Sequence, residues 1–301
     1  MIKPLITKIL ILILLSPMIS SAQNTPAPGD QKKDCRECID VLKNAMQSAE
    51  TIFIKVHAAE ALIFNNYYTG ISTCFNKLIK EEPNLIVASR VLARVYKNDK
   101  VKYQLHVNTL LYQLGHADST RGKLIALESL AKIGFKQTLP GIIQYADTGT
   151  HGFKAMACWV LANSGKPEDE ERLAHLLTSG DPTEFRGAAY ALRFNKKIRP
   201  ETLKLLTACA ERVKEDDPAR VYVISSLYVH AATATSEQNA KDKLLTYLKG
   251  NVGERYEVAE AFSMKGGLKD IPILNKLITD ENMDVRVAAA KALWSIKRKL
   301  P

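Results

Sequence analysis

Apolar and small residues recur along the chain at spacings of three and four, the period of an amphipathic helix, in blocks that resemble one another. The clearest block is Asp284 to Trp294 (DVRVAAAKALW), in which Leu293 follows small residues one and four positions earlier and a basic residue seven earlier. The same arrangement returns in Ile54 to Leu62 (IKVHAAEAL), Gly122 to Leu130 (GKLIALESL), Phe153 to Leu161 (FKAMACWVL), Ala219 to Leu227 (ARVYVISSL) and Glu254 to Phe262 (ERYEVAEAF). Two looser copies end at Leu92, with Leu85 in the basic position, and at Leu192, with Arg186 one place late. The eight markers Leu62, Leu92, Leu130, Leu161, Leu192, Leu227, Phe262 and Leu293 lie 30, 38, 31, 31, 35, 35 and 31 residues apart. A period of this size signals stacked helical repeats.

Between the markers lie second apolar runs, such as Leu173 to Leu177, Leu203 to Ala210, Leu244 to Leu248 and Ile271 to Ile278, so each unit reads as a helix pair. Breaks fall at Pro83, Gly115, Pro140, Gly165 to Pro167, Gly180 to Pro182, Pro200, Pro218, Gly250 to Gly253 and Gly266 to Gly267, where helices cannot continue. No run of period-two alternation asks for a sheet. The pattern predicts an all-α chain, and the alanines of the marker helices predict close approach between neighbours.

The block Asp284 to Ile296 resembles the second helix of a HEAT repeat, and the compact spacing is similar to the short HEAT-like repeats named after phycobilisome lyases. IKVHAAEAL also resembles exported HEAT-repeat proteins of polysaccharide-degrading bacteria, often encoded beside sulfatases. The resemblance implies a right-handed α-solenoid of about eight helix pairs whose second helices line the concave face. It is a likeness of fold, which by itself assigns no activity. It also implies that the recurring Lys55, Lys123, Lys154, Arg220, Arg255 and Arg286 form a polar ladder between repeats, the alternative being a basic track facing a ligand. HEAT-repeat hydroxylases with a di-iron centre use His-Glu dipeptides, and this chain contains none.

The N-terminus carries Lys3 and Lys8, an apolar run from Ile9 to Leu15, Pro17, and small residues ending Ser20, Ser21, Ala22. That is a signal-peptide pattern over residues 1–22, too short and too broken to span a membrane as a helix. Residues 23–33 (QNTPAPGDQKK) form a polar leader with too little apolar surface to fold, and the solenoid is expected over 34–301. Asp34 and Glu37 stand at capping-box spacing, and the helix that follows through Ile39, Leu42 and Met46 is expected to cap the stack. The mature chain is expected to be exported, periplasmic or extracellular, with no transmembrane anchor.

Net charge is +10, and removal of Lys3 and Lys8 with the signal leaves +8. A basic exported protein can meet acidic glycan or an anionic membrane face, while the lysine excess also serves solubility. Nucleic acid is not expected, since export removes the chain from it and no basic-aromatic binding motif is present. Of five cysteines, Cys35 and Cys38 form C-x-x-C without a second ligand pair for zinc, which points to a local disulfide, and Cys158 reads as a small core residue. No phosphate loop, G-x-S-x-G or H-E-x-x-H occurs, so no catalytic residue, metal or cofactor is assigned.

Candidate chemistry remains in a few places. His57 and Glu60, three apart on one helix, can act as an acid-base pair or make ordinary helix contacts, and His151 sits in the loop DTGTHG. Two positions before each marker stand Glu60, Arg90, Glu128, Trp159, Tyr190, Ser225, Glu260 and Lys291, opposite the core on a helical wheel. Trp159 and Tyr190, with Tyr222 and Glu257 one turn earlier on the following units, form an aromatic patch flanked by acids that can stack a sugar, dock a partner's apolar side chain, or pack between repeats. The expected function is a non-catalytic scaffold binding a protein partner through its concave face, a partner that the family resemblance places among enzymes of polysaccharide breakdown. The alternatives are direct binding of acidic glycan, and a lyase or hydrolase near the N-terminal repeats.

Overall fold

The computed structural model describes residues 35–82, 85–150 and 152–299. The signal, the leader, Asp34 and His151 lie outside the described residues. Sixteen α-helices follow in order, with no strand among the described residues: α1 (Arg36–Ser48), α2 (Ile52–Phe64), α3 (Ile71–Glu81), α4 (Ile86–Val95), α5 (Lys100–His116), α6 (Thr120–Lys132), α7 (Pro140–Thr148) and α8 (Phe153–Ala162). The second half comprises α9 (Pro167–His175), α10 (Pro182–Arg193), α11 (Pro200–Arg212), α12 (Arg220–His230), α13 (Ala234–Thr246), α14 (Val252–Lys265), α15 (Ile271–Leu277) and α16 (Met283–Arg298). Side chains of Thr51, Asp99, Ser119, Asp181, Thr233, Asn251 and Asn282 cap helix N-termini, satisfying backbone N–H groups that lack intrahelical partners. Prolines open α7, α9, α10 and α11, where their fixed φ and missing donor cost nothing.

The markers all fall on the even-numbered helices, and these build an inner layer. Each inner helix packs on the next, α2 on α4 and so on through α14 on α16. The chain then does what an open solenoid does not: α16 packs against α2, and α1 lies on both α2 and α16. The eight pairs therefore close into a ring. Helix α1, expected as a cap on one end of a stack, is instead part of the joint between first and last units.

Residues far apart in sequence hold this joint. His57 Nδ1 lies 2.9 Å from Asp284 Oδ1, the rings of Tyr67 and Trp294 meet edge-on with centroids 6.0 Å apart, and Arg298 donates to the Asn65 carbonyl. The Asn65 side chain donates to the carbonyls of Ala61 and Lys291, at 3.1 and 3.4 Å. Cys35 and Cys38 are joined as a disulfide at the start of α1, with Lys297 Nζ 3.5 Å from Cys35 Sγ.

Four of the six recurring basic residues, Lys55, Lys154, Arg220 and Arg255, tie turns and neighbouring units together. Arg255 reaches Asp280 before the next inner helix, at 2.8 Å, and Lys154 pairs with Glu184 at 3.6 Å. Within their own units, Lys55 donates to the Gln47 carbonyl and Arg220 to that of Val213.

Small residues let the inner helices touch. A Cβ at Gly187 of α10 would stand 2.6 Å from the Cβ of Ala155 in α8, closer than two such carbons can come. Although alanine gains about 1 kcal/mol over glycine in an open helix, Gly187→Ala is expected to destabilise the ring by about 1–3 kcal/mol through overpacking. Chemical denaturation checks it, and a stabilised variant would show that α8 and α10 can part freely.

Candidate functional site

Closing the ring turns the concave face into a lumen. A cavity of about 230 Å³ lies there, walled by residues of α2, α4, α6, α8, α10, α14 and α16. Most come from the middle and C-terminal turns: His57, Glu60 and Phe64 on α2, Arg94 on α4, Lys132 on α6, Trp159 on α8, Tyr190 and Arg193 on α10, Glu260 on α14 and Lys291 on α16. Arg94, Lys132 and Arg193 occupy the last turns of their helices, where the carbonyl ends favour positive charge.

Five of the residues two before a marker, Glu60, Arg90, Glu128, Glu260 and Lys291, form ion pairs on or beside this wall. Glu60 Oε1 is 3.0 Å from Arg90 Nε and 3.2 Å from Arg94 Nη1. Glu128 is 2.9 Å from Lys132 and accepts from Tyr190 Oη at 3.1 Å. Glu260 is 2.7 Å from Lys291. Arg193 of the wall pairs with Glu257 behind it, both side chains 1% exposed, and also donates to Ser225 at 3.2 Å.

Pairing decides the protonation states. Burial alone would raise the Glu60 carboxyl, but Arg90, Lys132 and Arg94 outweigh it and hold it far below the usual carboxylate range. Burial likewise opposes, and Lys132 and Arg90 reverse, the shift at Glu128, which falls to about 2. Glu260 is lowered by Lys291 and Arg193 against its burial. Burial lowers the Lys291 amine, with Glu260 opposing. Burial, then the nearby carboxylates Glu128 and Glu260 respectively, push Tyr190 and Tyr256 well above the phenol range. Carboxylates this acidic are poor proton acceptors near neutral pH.

His57 and Glu60 are therefore not a pair. His57 is held by Asp284 across the joint and lies against the Tyr256 ring at 5.4 Å, while Glu60 is taken by two arginines. The aromatic patch has closed on itself: Trp159, 2% exposed, stacks on Phe194 at 5.1 Å and meets Tyr190 edge-on at 5.6 Å. Tyr222 lies edge-on behind Tyr190 at 6.2 Å, and Lys132 and Arg193 cover both Tyr190 and Phe194. Trp159 thus packs between repeats. Burial pushes the Cys158 thiol up to about 12, the state of an inert core cysteine. Among the described residues, no three His, Cys, Asp or Glu side chains converge to hold a metal ion.

Sequence reasoning missed Tyr256, Phe194, Arg94, Lys132 and Arg193 as parts of this wall, and Asp284 as the partner of His57. Three of them had a readable signal: Arg94, Lys132 and Arg193 stand one or two residues after a marker leucine.

A sequence model of HEAT repeats matches residues 107–193, the stretch that contributes Glu128, Lys132, Trp159, Tyr190 and Arg193. No curated protein matches the sequence. Among solved structures, human deoxyhypusine hydroxylase in complex with glycerol is 17% identical with a TM-score of 0.42, over 85% of this chain and 94% of that one. An engineered protein is 19% identical with a TM-score of 0.32, over 86% of this chain and 77% of its own. A designed armadillo repeat protein is 16% identical with a TM-score of 0.24, over 86% and 99%. These likenesses concern the fold alone, an array of helical repeats.

Two outcomes follow from the pairing. Removing one partner of the Arg193–Glu257 pair leaves a buried charge alone, so Glu257→Gln is expected to cost about 3–5 kcal/mol, and Arg193→Met with Glu257→Leu to cost clearly less; a double-mutant cycle by denaturation measures both. Glu128 titrates lower in the fold than its usual 4.5, so its contribution is present above that pH and lost as pH falls toward about 2. Acid titration of stability should show this loss, and Glu128→Gln should flatten it.

Proposed function

We propose that the protein is an exported, non-catalytic binding module that takes one small polar ligand into the lumen of its repeat ring. The observation that carries this reading is the closed inner layer around a cavity of about 230 Å³ lined by charged and aromatic side chains. At roughly 30 Å³ per water, that space suits a molecule of about eight waters' volume, the scale of one sugar ring. A folded partner has no open concave face to enter. A preformed rigid wall loses little entropy on binding, so few contacts suffice for useful affinity. Export rests on the signal pattern of residues 1–22; among the described residues, no helix is long and apolar enough to cross a membrane.

A protein partner, which the family resemblance places among enzymes of polysaccharide breakdown, belongs instead to the outside of the ring. Favouring it is a stripe on α5, where Val101, Leu105 and Tyr112 share one helix face and are 81%, 61% and 57% exposed, since exposed apolar surface marks contact sites.

One experiment addresses both. Native protein, Asn195→Trp at the cavity wall and Leu105→Glu on α5 are compared for thermal stabilisation by the low-molecular-mass and the protein fractions of the source envelope. Stabilisation by small molecules that disappears only in Asn195→Trp is the expected result. Equal stabilisation of native protein and Asn195→Trp would remove the lumen, and loss confined to Leu105→Glu with the protein fraction would move the site to α5.

A further inference from the structure

The charges around the lumen do not balance pair for pair. Arg90, Arg94, Lys132, Arg193 and Lys291 face four carboxylates, Glu60, Glu128, Glu257 and Glu260. Three cations have a carboxylate each, whereas Arg90 and Arg94 share a single oxygen, Glu60 Oε1. Asp284 reaches His57 and pairs with none of these five cations.

The two arginines are not equivalent. The Arg90 side chain is 3% exposed and that of Arg94 is 25% exposed. Arg94 lines the cavity, and its contact with Glu60 occupies one of the five N–H donors of a guanidinium. Among the described residues Arg94 has no further partner, which leaves a planar fork with the geometry that receives a carboxylate or sulfate through two hydrogen bonds. Asn195 and His57 line the same cavity. Placement in the last turn of α4 accounts for a basic residue at this position. It does not account for two arginines on one carboxylate oxygen.

We propose that the lumen holds the anionic group of a small acidic ligand, a carboxylate or sulfate such as acidic sugars carry, on the guanidinium of Arg94. This rests on the lumen reading above and names the ligand's charge. The cavity's volume of about 230 Å³ suits one acidic unit.

The test uses the full mature protein with glucuronate, inorganic sulfate and uncharged glucose as probes, read by titration calorimetry for native protein, Arg94→Gln, Arg94→Lys and Asn195→Trp. Lys77→Gln, whose side chain is 78% exposed on the outer helix α3, serves as the control for lost charge elsewhere. Arg90 remains on Glu60 in Arg94→Gln, so this variant keeps its fold, which circular dichroism verifies. Expected is binding of glucuronate in preference to sulfate and glucose, weakened about tenfold or more by Arg94→Gln, less by Arg94→Lys, and unaffected by Lys77→Gln. If sulfate matches glucuronate with the same dependence on Arg94, the site takes a bare anion and the proposal stands for sulfate. Glucose binding as tightly as glucuronate and lost in Asn195→Trp would overturn the anion site while leaving the lumen reading intact. Absence of Arg94-dependent binding of either anion overturns the proposal.

Discussion

Everything in the molecule depends on the contact between α16 and α2. A linear array of helix pairs buries one flank of each unit on its neighbour and leaves two terminal flanks apolar, which open arrays cover with polar capping repeats. Here the last flank finds the first. Leu293 and Trp294, both 1% exposed, are core residues of α16, which packs on α2 and α1 as well as on α14. The polar groups at the joint are satisfied along with the apolar ones: Asn65, 4% exposed, bridges α2 and α16 through both its side chain and its carbonyl.

That closure imposes the electrostatics. On an open solenoid, residues two before each marker would sit in water, where Glu60 or Lys291 would cost nothing unpaired. Inside a ring they are desolvated, and an isolated ion there is prohibitively costly. The buried charges consequently sit in pairs, Glu60 with Arg90, Glu260 with Lys291, and Arg193 with Glu257 across two repeats. Such pairs add little net stability over a well-packed apolar wall. Their retention around one cavity is what a binding surface requires and a plain core does not.

Much of the fold was legible because it is local. Periodicity within 30 to 38 residues located the inner helices, and helical-wheel geometry put Glu60, Glu128, Tyr190, Glu260 and Lys291 on one inward surface. Closure was not legible, since it results from the sum of small rotations between successive pairs, none of which leaves a mark in a single repeat. The consequences of closure were hidden with it. His57 finds Asp284 across 227 positions instead of Glu60 three positions away, and Trp159, readable as a solvent-facing platform, is covered by Phe194. Arg94, Lys132 and Arg193 carried a positional signal after the markers, but a basic residue there is also what any helix end favours, so chemistry and capping could not be separated without coordinates.

An open repeat protein can lengthen or shorten by whole units, because each copy needs only a neighbour on either side. A ring has no such freedom. Gain or loss of one helix pair would change the angle each remaining pair must turn, pull α16 away from α2 and carry Asp284 off His57, so the number of copies is locked even while their sequences drift. The looseness of the copies ending at Leu92 and Leu192 fits that constraint: unequal in sequence, each still occupies its place in the circle.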